Sequence, residues 1–148
     1  MAFELSIEEG EFLVKLARKA VEDYLKTGKK PEVPEDTPKK LLKPCGVFVT
    51  INTLEFDERK LRGCIGYPYP TTPLTQAVIE SSINSATQDP RFNPVSQEEI
   101  ESIVFEVSIL TPPERIKAEK PNEYPSKIEI GKDGLIVEQG MRKGLLLP

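Results

Sequence analysis

The sequence predicts an α+β fold in which antiparallel sheets are flanked by helices. Three observations carry this expectation. Helical and strand periodicities are mixed along the chain. Strand segments return on themselves through short polar turns. Strands and helices do not alternate in the way that builds a parallel sheet. With 148 residues, the chain suits a single domain over residues 1–148, read as two interwoven lobes sharing a core.

The first element is a helix over residues 6–26. Ser6 and Glu9 supply a capping box. Phe12, Leu16, Ala20 and Tyr24 form one row, and Leu13, Ala17, Val21 and Leu25 its neighbour, so one wide apolar face belongs to a core. Thr27-Gly28 ends the helix. Residues 29–44, rich in Lys, Pro and acids, read as a mobile surface loop. A strand follows over 46–54, with Val47, Val49 and Ile51 on one face. Residues 55–59 form a polar turn, and 60–66 return as the partner strand. After a Pro-rich loop, Thr72 is placed as the cap of a second helix with Pro73 in its first position. That helix carries Leu74, Ala77, Val78, Ser81, Ser85 and Ala86, and Asp89-Pro90 stops it. Residues 96–102 form a helical turn. Residues 103–110 are the clearest strand, with Ile103, Phe105, Val107 and Ile109 opposite Val104, Glu106, Ser108 and Leu110. A hairpin is expected to join 128–130 to 135–138 through Gly131-Lys132-Asp133-Gly134, and an apolar strand closes the chain at 144–147.

Bulk properties exclude several classes. Net charge is −4 and the pI is about 5.1, which speaks against a general nucleic-acid binder. No apolar run reaches transmembrane length. Two cysteines, Cys45 and Cys64, form neither a CxxC pair nor a disulfide framework, so a reducing cytoplasm is expected. Fourteen prolines and a Lys/Glu-rich surface lean toward a thermophilic source. The chain has no histidine, which removes every Ser-His, Cys-His and His-metal arrangement it could build alone. Carboxylates with one useful thiolate make a poor metal site, so neither metal nor cofactor is expected.

Leu61-Arg62-Gly63-Cys64-Ile65-Gly66 stands out. In a regular strand Arg62 and Cys64 share a face, close enough for the guanidinium to favour a thiolate. Gly63 and Gly66 thin the strand, which marks a bulge or close approach by ligand or backbone. The alternative, which residue types alone favour, is that Cys64 is a small buried hydrophobe and Arg62 a structural ion-pair partner. In Asp89-Pro90-Arg91-Phe92, Asp89 could serve as a general base or orient Arg62, and Arg91 could bind an anion. The alternative is a loop pinned by Asp89 and Arg91, with Phe92 plugged into the core. Glu106 and Ser108 lie on a mixed face: either a partly buried Glu106 needs a partner and Arg62 is a natural one, or the face is simply half-exposed sheet.

The hexapeptide resembles the signature of the AMMECR family, named for the Alport syndrome, midface hypoplasia and elliptocytosis chromosomal region. Prokaryotic relatives are also called AmmeMemoRadiSam system protein A. Similar blocks follow in family order: Gly46-Val47-Phe48-Val49-Thr50, Asp89-Pro90-Arg91-Phe92, Glu106-Val107-Ser108-Ile109-Leu110, Gly131-Lys132-Asp133-Gly134-Leu135 and Gly144-Leu145-Leu146-Leu147-Pro148. The family pattern continues past the last block, so the resemblance implies a chain lacking the C-terminal segment. Ser81, Ser82 and Ser85 replace residues that are more often alanine in relatives. The resemblance implies a bilobal α+β architecture with a cleft between lobes. It also implies a basic cellular role (translation, transcription or repair) and a link to Memo-like and radical SAM proteins, but no assigned reaction.

Two functional readings follow. In the first, a cleft binds or processes a small anionic substrate, with Cys64, Arg62 and Asp89 catalytic and Arg91, Glu106, Ser108, Gly63 and Gly66 in contact with substrate. In the second, the same surface is a non-catalytic binding or adaptor module for a protein partner or small ligand.

Overall fold

The computed structural model describes residues 3–148. The chain divides into two compact units, one reaching to Pro112 and the other Pro113–Pro148, each a continuous stretch of chain.

In the first unit, helix α1 (Ile7–Thr27) opens on the Ser6–Glu9 capping box and ends at Gly28, whose φ of 70° is left-handed. That conformation suits glycine, and its N–H closes the last turn on the Tyr24 carbonyl. Strands β1 (Gly46–Glu55) and β2 (Glu58–Tyr67) form an antiparallel hairpin, and β3 (Ile103–Leu110) pairs with the other edge of β1. The sheet order is β2-β1-β3. The hairpin turn is tighter than the sequence suggested. Only Phe56 and Asp57 turn, both at positive φ (50° and 64°), which matches the twist of a two-residue hairpin. Phe56 is fully exposed there.

Helix α2 (Leu74–Thr87) starts at Pro73 without a side-chain cap, so the expected Thr72 cap is not used. The reason is local: the Leu74 N–H is already satisfied by the Lys43 carbonyl at 3.0 Å, and Pro44 bridges to Pro73. Residues 29–44 are likewise anchored rather than free. Leu41 is fully buried in a short turn (Lys39–Leu42). Lys40 reaches Glu9 and the Glu4 carbonyl, and Lys30 pairs with Glu80 at 2.7 Å.

The core lies on one face of the sheet. Val47, Val49 and Ile51 are completely buried, and Val47 and Val49 pack with Leu13, Leu16, Ala17 and Ala20 of α1 and Leu74, Ala77 and Val78 of α2. Burying each Leu, Ile or Val stabilises by about 1.5–3 kcal/mol, and alanines let the helices approach closely. Arg18 ties α1 to β3, donating to the Ile100 and Ile103 carbonyls with its guanidinium over Phe105. The opposite face, with Phe48, Thr50 and Asn52 of β1, is half-buried.

In the second unit, β4 (Leu135–Gln139) pairs with β5 (Arg142–Leu146) around Gly140 and Met141. The hairpin therefore sits one segment later than expected. Residues 128–130 are not a strand, because the Asp133 carboxylate takes the Glu129 N–H at 2.8 Å and closes a local turn. None of residues 113–148 is buried. No described helix is long and apolar enough to cross a membrane.

Candidate functional site

Register decides where the signature residues go. Thr50 pairs with Cys64 and Ile51 with Gly63, but Asn52 pairs with Leu61. Arg62 is thus the extra residue of a bulge, with no partner on β1. A bulge breaks strand alternation and re-aims the side chain, so the expected shared face of Arg62 and Cys64 is not formed.

Arg62 turns instead to the segment that follows α2. Its Nε and Nη2 donate to Glu99 at 2.9 and 3.2 Å, and Nη1 donates to the Asn93 carbonyl at 2.9 Å. Glu99 also closes a second capping box by accepting from the Ser96 N–H. Its carboxyl is held below the usual range, first by Arg62. With each of its three nitrogens donating one hydrogen bond and its side chain 15% exposed, Arg62 braces the segment that follows α2. Its partner is Glu99, not Glu106. Glu106 is exposed and lies 3.6 Å from Arg59.

Cys64 is half-buried on the side of the sheet away from the helices, its Sγ 3.3 Å from Thr50 Oγ1. Its backbone N–H, on an edge strand, donates to Asp89 Oδ2 at 2.9 Å, which satisfies a donor the edge would otherwise leave open. Asp89 is 4% exposed. It also accepts from the Arg91 N–H at 3.1 Å, from Arg91 Nε at 3.0 Å and from Nη2 at 2.8 Å. The Arg91 guanidinium, followed by those backbone donors, outweighs burial and lowers the Asp89 pKa to about 2. A carboxylate so fully hydrogen-bonded and so acidic is a poor general base near neutrality. Asp89 orients Arg91, not Arg62.

Because the folded value lies below the unfolded 3.8, Asp89 stabilises the fold above pH 3.8, and that stability is lost as pH falls through about 2. The shift corresponds to about 2 kcal/mol. In urea melts, an Asp89→Asn variant is expected to be less stable than wild type at pH 6, with the gap closing toward pH 2.

Arg91 is the solvent-facing charge of the group. Its side chain is 55% exposed, and its Nη2 shares the Asp89 Oδ2 oxygen with the Cys64 backbone N–H. The Nε–Nη2 edge is held by Asp89, so Nη1 and the second Nη2 proton point outward. Phe92 stands between two cations, 6.0 Å from Arg62 and 5.5 Å from Arg91. It is half-exposed, and Val95, 2% exposed, is the residue of this loop that enters the core.

The glycines are needed for packing. A methyl on Gly63 would overlap the Ser85 carbonyl oxygen, and one on Gly66 the Val47 carbonyl oxygen. Close backbone approach, one of the two readings of these glycines, accounts for both. The sequence marks Ser85 only as a small residue of the second helix, not as a hydrogen-bonding one. Its hydroxyl accepts from the Ile65 N–H at 2.8 Å and donates to the Val49 carbonyl at 2.7 Å, bridging both strands from α2. Ser108 pairs with Phe48, two residues along β3 from Glu106 and outside the row through Cys64. Among the described residues, no group of three or more Cys, Asp or Glu is placed to hold a metal ion.

Comparison with known proteins gives one consistent answer. Protein PH0010 of Pyrococcus horikoshii is 55% identical over 149 residues, covering 100% of this chain and 72% of the relative. Protein PYRAB00100 of Pyrococcus abyssi is 57% identical over 142 residues, covering 95% and 69%. Protein MK0488 of Methanopyrus kandleri is 52% identical over 149 residues, covering 100% and 70%. The crystal structure of uncharacterized protein PH0010 superposes with a TM-score of 0.91 at 54% identity, covering 97% of this chain and 70% of that one. The AMMECR1 family profile matches residues 14–148, and the chain belongs to the AMMECR1 family.

Proposed function

We propose that Cys64, Arg91 and Asp89 form the working site, which takes a small anion on the outward edge of Arg91 and presents the Cys64 thiol to it. The observation that carries this reading is the division of labour between the two arginines. All three Arg62 nitrogens donate to Glu99 or Asn93 and its side chain is 15% exposed, whereas Arg91 is braced by a buried carboxylate and is 55% exposed. A guanidinium held by one edge offers the other as a planar, bidentate anion fork. Asp89 offsets the charge of Arg91 at a distance, so the site selects by contact with the fork, not by long-range attraction.

The two cysteines make the test internal. Cys45 is 8% exposed and burial pushes its thiol pKa up. In the folded chain, iodoacetate is expected to label Cys64 and leave Cys45 untouched until unfolding, as read by peptide mass spectrometry. Labelling of Cys64 is also expected to slow when millimolar small carboxylates compete for Arg91. A Cys64 that stays inert until the protein unfolds would end the reading and leave the non-catalytic binding module in its place.

A further inference from the structure

Thr50 holds the centre of a row that crosses all three strands. It is the register partner of Cys64 on β2 and of Glu106 on β3. Partners across antiparallel strands point to the same face, so thiol, hydroxyl and carboxylate stand side by side. The Thr50 hydroxyl touches the Cys64 sulfur at 3.3 Å. With strands about 4.8 Å apart, the backbones carrying Cys64 and Glu106 are separated by roughly 10 Å. Arg91 lies past the β2 end of the row, attached to the strand edge through Asp89 and the Cys64 N–H. The row therefore has an exposed cation at one end, an exposed carboxylate at the other, and two small nucleophilic or hydrogen-bonding groups between them.

From this polarity we infer that the ligand is an elongated zwitterion whose carboxylate and ammonium stand roughly 10 Å or more apart. Its carboxylate sits on the outward fork of Arg91, its ammonium faces Glu106, and its middle lies over Cys64 and Thr50. The inference rests on the reading that Arg91 and Cys64 form the ligand site, and adds the far end. A planar fork favours a carboxylate. Glu106 is faced by Arg59 at 3.6 Å, but both side chains are more than half exposed. Exposed pairs of this kind are weak, and a ligand ammonium displaces Arg59.

Charge-bearing thiol reagents separate the two ends. The probes are the sulfonatoethyl, trimethylammonioethyl and uncharged methyl methanethiosulfonates, with the sulfonate standing in for the carboxylate. Each forms a mixed disulfide with Cys64 and releases methanesulfinate. Rates on the whole chain are divided by those on a free cysteine peptide, and Cys64→Ser confirms the labelled position. Both charged reagents are expected to outpace the uncharged one. Glu106→Gln should slow the cationic reagent about threefold and spare the anionic one, while Arg59→Gln should speed the cationic reagent by a similar factor. Arg91→Gln should slow only the anionic reagent. If Glu106→Gln leaves the cationic rate unchanged while Arg91→Gln still slows the anionic one, the zwitterion is overturned and the anion site stands. If Arg91→Gln also has no effect, both readings fall.

Discussion

Gly63→Ala is expected to destabilise the first unit by about 3 kcal/mol or more, enough to shift its urea midpoint far below wild type. The added methyl would overlap a backbone carbonyl, that of Ser85, which has no rotamer by which to yield. Overpacking costs of 1–3 kcal/mol, occasionally more, are typical where neighbours can move. Here α2 would have to lift off β2, breaking the Ser85 hydroxyl bridge to Ile65 and Val49. Gly66→Ala meets the Val47 carbonyl in the same way and is expected to behave similarly. A near-neutral Gly63→Ala would show that α2 yields to the added methyl and that close helix packing does not require the glycine.

Arg62→Ala is expected to cost about 3 kcal/mol in stability. The substitution leaves Glu99 without its forked partner and the Asn93 carbonyl without a donor, and breaking a largely buried pair costs about 3–5 kcal/mol, reduced here because Glu99 is one-third exposed. Denaturant melts would read the loss. Arg62→Lys should recover only part of it, because an ammonium cannot reproduce the fork.

Much of this was legible in the sequence. The capping box at Ser6, the apolar rows of α1 and the alternation of β1 and β3 are local patterns, and each led to the observed element. The Asp89-to-Phe92 segment was also recognisable as a group. What the sequence could not show was register. One extra residue at Arg62 re-aimed the guanidinium to Glu99 and left Glu106 to Arg59, while Asp89 joined Arg91 to the Cys64 N–H. Thr50, Ser85 and Glu99 were missed because their roles arise only from pairing between distant segments. Glu99 alone carried a signal, its spacing from Ser96, which announced a cap but not an arginine partner. The hairpin at Gly131 failed differently: its turn forms, but Asp133 captured the Glu129 N–H before a strand could use it.

If Arg91, and not Arg62, is the charge that serves Cys64, the ratio of iodoacetate to iodoacetamide labelling rates at Cys64 will show it, measured on wild type, Arg91→Gln and Arg62→Ala under conditions where all three remain folded. The ratio is expected to fall about threefold to fivefold in Arg91→Gln, in keeping with up to about 1 kcal/mol for a solvent-facing charge, and to stay near the wild-type value in Arg62→Ala. A ratio that falls in Arg62→Ala and holds in Arg91→Gln would remove Arg91 from the site and return Arg62 to it.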